Sequence, residues 1–391
     1  MTAWSDMTSL LRPLSGFIPT AEYAPRIVGP PSSMLSRDQK KASRNDELSF
    51  RHMVGRGAGA GRTKAMNWLH RCIDLGALQP IDSAVVVHRL TRGDFSATGL
   101  IADVSLTAYD TGLVKRHETT IAKTQRKMLA YMESTRIFGN PVALAHRSRP
   151  DLAISLRHHS RHSADVTFTA IDGAEHSLWV VTGDDAQTMC DSFSDVLYIT
   201  DGHHRLAAAS ALAEAEGRSN PHLPAAFFAE DELTIGAFAR VIDDQDVVAT
   251  DVLALLDERF DLQEVTQKVA RPGTPQQMGV RIDGRSFLLT IPRAAVPTDT
   301  YDRLDVNLLQ DLVLEPLFGV TNPRTDRRLR FVADTSADHD VDSCAAWFLP
   351  YPTSVPDVML VADTGRAMPP KSTYFLPKVP SGLVIRPVDA D

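Results

Sequence analysis

Fifteen residues concentrate the chemistry of this sequence: YITDGHHRLAAASAL, 198–212. An apolar run stops at Asp201, Gly202, His203, His204 and Arg205, and an alanine-rich helical pattern begins at once. A helix start leaves free N–H groups and a partial positive charge, which suits an anion such as phosphate. Gly202 permits a tight turn and a close backbone approach. Arg205 adds a planar donor fork, and the two imidazoles add donors, proton carriers or metal ligands. Asp201 has the chemistry to orient a substrate or to hold a cation such as Mg²⁺. The plainer alternative makes it an N-cap with surface histidines beside it.

Two further clusters carry compatible groups. In VKRHETTIAK (114–123), Glu118 beside His117 fits a general base for a hydroxyl, although it would serve equally as a first-turn acid behind a threonine cap. The zinc-protease pattern is absent, since it needs a second histidine three residues beyond the glutamate. In PPKSTYF (369–375), two prolines stiffen a turn that presents Lys371, Ser372 and Thr373, a cation and two hydroxyls suited to phosphate oxygens; Tyr374 and Phe375 would equally strap a tail to a core. The glycine-rich GRGAGAGRTK (55–64) fails the spacing of a phosphate loop and reads as a flexible loop.

The elements that must position these groups alternate. Helical periodicity marks 63–75, 122–135, 204–217, 250–260 and 305–319. Strand patterns mark 83–90, 98–106, 165–171, 176–183, 196–200, 225–230 and 285–291. The expected fold is α+β, a composite mixed-sheet protein with a loop-rich N-terminal segment. The expected organisation is one composite domain over 1–391. It comprises a wrap (1–62), a core with both motifs (63–225), a second α+β lobe (226–330) and a C-terminal strap (331–391).

Bulk properties bound the function. The 391 residues are 43% hydrophobic and 23% charged, a globular profile. A net charge of −8 argues against a partner bound through its nucleic-acid backbone. Three dispersed cysteines fit neither a disulfide framework nor a zinc ribbon. No apolar run reaches membrane-span length, and the N-terminus lacks a signal-peptide pattern. A cytoplasmic protein without a membrane or nucleic-acid partner is expected, and it could form a homodimer.

Five segments together resemble one family, that of domain of unknown function 1015: LLRPLSGFIP, GLIADVSLTAYDTGLVKRHETT, YITDGHHRLAAASAL, LDVNLLQDLVLEPLFG and GRAMPPKSTYFLPKVPSGLVI. The Asp-Gly-His-His-Arg turn is also similar to the phosphate-binding turn of the ParB/sulfiredoxin superfamily, which includes kinases of free serine. That resemblance implies a ParB/sulfiredoxin-like core, a phosphate cradle at 201–205 and a separate catalytic glutamate, for which Glu118 is the candidate by its chemistry. It implies ATP or ADP with Mg²⁺ as cofactors and a free amino acid with a hydroxyl, L-serine first, as acceptor. Two departures bear on activity. Ser32 and Ser33 stand where the family usually has Tyr-Asp after two prolines, and Ala239 stands where it has a histidine before Arg240. A metal-dependent hydrolase built on His117, His203, His204 and Asp201, and a nucleotide-binding regulator without chemistry, are the rival expectations.

Overall fold

The computed structural model describes residues 9–54, 61–244, 248–333 and 344–389. Most of the expected glycine-rich loop (55–60) lies outside them. The chain forms two compact units, residues 1–233 with 377–391, and residues 234–376.

The first unit is built on a ten-stranded mixed sheet. Its main path runs Val114–Lys115, Leu197–Asp201, Val142–His146, His222–Ala229, Phe95–Ser105, Leu78–Arg92, Glu175–Thr182 and Val166–Thr169. Leu197–Asp201 runs parallel to Val114–Lys115, and His222–Ala229 runs parallel to Val142–His146; the other pairings are antiparallel. The expected α+β mixed-sheet class is therefore observed. The strands at the centre are near-continuous apolar runs, as two-sided burial requires. Val85, Val87, Leu100, Ala102, Leu144, Ile199 and Phe227 are almost wholly buried in one cluster with the helix His203–Ala215.

The helix expected over 122–135 is observed as Ala122–Thr135 and packs against His203–Ala215. Its N-cap is Ile121, with no side-chain cap, so neither threonine of the HETT segment serves that purpose. Within the expected loop-rich wrap, Arg37–Asn45 is helical and opens on a capping box between Ser36 and Gln39. Residues 222–229 belong to the first sheet, so the second unit begins at Thr234 rather than at 226.

The second unit carries a six-stranded antiparallel sheet in the order Asp261–Val265, Arg285–Thr290, Gln277–Ile282, Ala346–Pro350, Phe238–Ile242, Leu329–Ala333. The strand Ala346–Pro350 and the helix Val355–Asp363 fall in the stretch expected to be a C-terminal strap, and Leu329–Ala333 straddles its start. The amphipathic segment from 305 is helical to Phe318, with one turn, Gln310–Leu314, wound as π-helix.

Candidate functional site

The first-unit site starts from one backbone necessity. Leu197–Asp201 ends and His203–Ala215 begins with a single residue between them, Gly202 at φ 99°. That conformation is open to glycine and strained for any other residue. A β-carbon there would also meet Val142 Cγ1 at 2.9 Å and Arg205 Nη2 at 3.0 Å. The tight turn throws Asp201 and Arg205 to the same side.

Asp201 does not cap the helix; Gly202 is the N-cap position and no side chain caps it. The carboxylate is instead held between two cations. Arg205 Nη2 donates to Oδ2, and Lys378 Nζ donates to Oδ1 at 3.1 Å. Burial would raise this carboxyl, but the charges of Lys378 and Arg205 outweigh burial and hold it at about 2. The other terminal nitrogen of Arg205 is committed too. Nη1 donates to the Asn140 carbonyl and side chain, both at 2.7 Å, and to the Pro141 carbonyl at 2.6 Å. The guanidinium thus locks the 140–141 loop to the turn, and this work is independent of any ligand.

The histidines fill the other flank. His203 is 4% exposed, and its Nδ1 stands 3.9 Å from Glu118 Oε2. Its Nε2 is buried with no hydrogen-bond partner among the described residues. His117, also buried, sets its ring edge-on to His203 with centroids 4.6 Å apart. Burial keeps both rings neutral: His203 falls to about 4 despite the nearby Asp201, and His117 lies well below the usual imidazole range. His204 turns away to accept the Ile121 N–H at Nε2, 2.9 Å, which pins the start of Ala122–Thr135. Among the described residues, no three His, Cys, Asp or Glu side chains gather as a metal site.

A cavity of about 260 Å³ adjoins the turn. Asp201, Arg205, Asn140, Arg51, Ser32 and Ser381 supply its polar wall, and Pro30, Pro31 and Val379 supply apolar surface. Arg51 donates through Nη2 to Ser32 Oγ at 2.5 Å, while its buried Nη1 has no partner among the described residues. Arg51 thus brings to the lining of this cavity a guanidinium with one buried, unsatisfied nitrogen, a chemistry suited to anions. Sequence reasoning missed both Arg51 and Lys378. Lys378 lies seven residues past Lys371, inside a segment already singled out, whereas nothing local to Arg51 marks it.

The third cluster belongs to the second unit. Lys371 sits at φ 53°, with its Nζ 5.5 Å from the Phe238 ring centroid. Ser372 is 1% exposed and donates to the Pro369 carbonyl at 2.8 Å. Thr373 is half-buried. Buried Arg240 ties this turn down through the Pro370 and Lys371 carbonyls, and Ala239 is a core residue of the strand Phe238–Ile242.

The turn at 201–205, the Glu118 segment and the paired strands that carry them all lie within the span matched by one family model. The chain belongs to the family described as Protein of unknown function (DUF1015), whose model matches residues 11–307. No curated protein matches the sequence. Solved structures similar to this DUF1015 chain include a free serine kinase mutant in complex with AMP, at 14% identity and TM-score 0.34, covering 71% of this chain and 87% of that one. A conserved hypothetical protein from Pyrococcus furiosus matches at 14% identity and TM-score 0.35, covering 72% and 93%. SbnI with a C-terminal truncation, from Staphylococcus aureus, matches at 11% identity and TM-score 0.38, covering 70% and 82%. Among the described residues of this DUF1015 member, no helix is long and apolar enough to cross a membrane.

Proposed function

We propose that this protein is a small-molecule phosphotransferase that passes a phosphoryl group from ATP or ADP to the hydroxyl of a free amino acid, with L-serine the first acceptor to test. The observation that carries the reading is the juxtaposition of a half-exposed carboxylate, Glu118, with His203, while Asp201, Lys378 and Arg205 gather on the same turn. Phosphoryl transfer asks mainly for positioning and charge neutralisation. Glu118 accepts the hydroxyl proton as the hydroxyl oxygen bonds to the terminal phosphorus. The bridging P–O bond breaks, and its electrons leave with the shortened nucleotide. His203 supports Glu118, and His117 packs behind His203.

The helix start at 202–204 and Lys378 supply positive potential toward the phosphates. Arg51 takes an anionic group of substrate or nucleotide in the cavity. Within the second unit, Lys371 and Thr373 are proposed as phosphate contacts in their own right, whereas Ser372 is buried with its hydroxyl already donated to the Pro369 carbonyl. Mg²⁺ would screen phosphate charge when bound. Asp201 is the carboxylate proposed for it, and it would exchange its contact with Lys378 or Arg205 for the ion, with phosphates supplying most of the other ligands.

The test is phosphorus NMR on the purified protein with Mg²⁺, L-serine and either ATP or ADP. O-phosphoserine should form with wild type. With Glu118→Gln, its formation should fall by about 10²–10⁴, the usual contribution of a general base, while nucleotide affinity stays within a few-fold. Nucleotide loss without phosphoserine would overturn the acceptor in favour of hydrolysis. Nucleotide binding with no turnover of any acceptor would make the protein a regulator.

A further inference from the structure

The second unit contains a cavity of about 800 Å³ to which the proposed phosphoryl transfer gives no role. It lies against Asp305, the first residue of the helical segment that runs to Phe318, and against the loop 351–354. Pro275, Ile291, Val296, Pro297 and Pro352 give it apolar walls. A volume of this order is that of a metabolite site, where a few polar groups orient a mostly apolar body.

Two polar groups are buried in its wall without a full set of partners. Asp305 is 7% exposed, and its Oδ1 accepts the Gln276 N–H at 2.7 Å. Among the described residues it has no ion pair. Burial pushes its carboxyl up to about 7, and Asp357 nearby pushes the same way. Thr353 is also 7% exposed, and its hydroxyl has no hydrogen-bond partner among the described residues. Buried polar groups of this kind normally have one.

The surrounding backbone is shaped to keep this arrangement. Gln276, which supplies the N–H to Asp305, stands at φ 65°, a left-handed conformation that strains a non-glycine residue and clusters at ligand clamps. The π-wound turn Gln310–Leu314 follows five residues after Asp305, another departure frequent at functional sites. Arg303 also lines the cavity but stands with Asp357 at 3.8 Å, so it does not neutralise Asp305. Asp305 and Thr353 thus bring a carboxyl without an ion pair and a hydroxyl without a hydrogen-bond partner, among the described residues, to the lining of one cavity.

We propose that this cavity is a second small-molecule site, one that takes a primary ammonium on a mainly apolar body, with the ammonium donating to the Asp305 carboxyl and the Thr353 hydroxyl. The test is calorimetric titration of the full chain with tyramine and with 4-ethylphenol, the same body without the ammonium. Tyramine should bind at least ten-fold more tightly. Asp305→Asn retains an oxygen for the Gln276 N–H and should weaken tyramine at least ten-fold while leaving 4-ethylphenol unchanged. Thr353→Val should weaken tyramine several-fold. It decides the matter by itself if circular dichroism finds the Asp305 variant unfolded. Equal affinity for the two probes, unchanged tyramine binding in a folded variant, or no binding of tyramine would overturn the proposal.

Discussion

Replacing Asp201 by Asn tests the charge arrangement of the first-unit site without assuming any activity. The substitution keeps size and shape but removes the charge shared by Lys378 and Arg205. The Asp201 carboxyl stands at about 2 against an ordinary 3.8. Each pH unit of such a displacement is worth about 1.4 kcal/mol, which sets a ceiling of about 2.5 kcal/mol. The side chain is 41% exposed, and solvent screening brings the expected loss down to about 1 kcal/mol. For a unit of this size that is a fall of roughly 2–4 °C in Tm at pH 7. The sign follows from the direction of the shift. A carboxyl held below its unfolded value stabilises the fold above about pH 4, and that stability drains away as the pH falls toward 2. The gap between wild type and Asp201→Asn should therefore be full at pH 7 and reduced by about half at pH 3. Calorimetric melts of both proteins across this range measure it. A gap that is absent at pH 7, or unchanged at pH 3, would refute the claim that Lys378 and Arg205 hold this carboxylate.

Four other outcomes follow from the same geometry. Gly202→Ala should cost about 2 kcal/mol in chemical unfolding, from left-handed backbone strain and contact with Val142 and Arg205. Arg51→Met should weaken an anionic ligand of the 260 Å³ cavity about 10–100-fold by titration calorimetry, the value of a charge-assisted hydrogen bond. His203 is neutral in the fold, with its pKa lowered to about 4, so the unfolded chain takes up its proton first as the pH drops below about 6.5. Stability should fall across pH 6.5 to 4, and His203→Gln should flatten that slope in denaturant titrations. Removing the Glu118 charge should suppress turnover and spare nucleotide binding, as the phosphorus NMR experiment reads out.

The local elements were legible wherever periodicity ran long enough. Ala122–Thr135 and His203–Ala215 carry several helical turns, and Glu175–Thr182 and Leu197–Asp201 are apolar runs bounded by breakers. Val142–His146 escaped because four apolar residues and a histidine between a proline and a charged stretch have no period to read. Pro150–His159 and Gly183–Asp191 escaped for a related reason: each is short, and Leu152 and Leu156 or Met189 and Cys190 are too few to define a face. Most of the second sheet was missed as well, since its strands Gln277–Ile282 and Ala346–Pro350 pair across nearly seventy residues of chain. Long-range pairing leaves no signature in either partner alone.

The amino-acid sequence by itself determined the turn at 201–205. An apolar strand, a glycine and an alanine-rich helix in that order admit one local geometry, and that geometry puts an acid and an arginine on one side. Tertiary structure decided what those groups do there. It brought Lys378 from 177 residues away to Asp201, spent Arg205 on the 140–141 carbonyls, and turned His204 to the Ile121 backbone. It also placed His203 beside Glu118 and left Arg51 with an unsatisfied nitrogen at a cavity wall. The division has a physical cause. Backbone conformation is set by neighbours in sequence, whereas a charge chooses its partner by distance in space, and only the packed sheet fixes that distance.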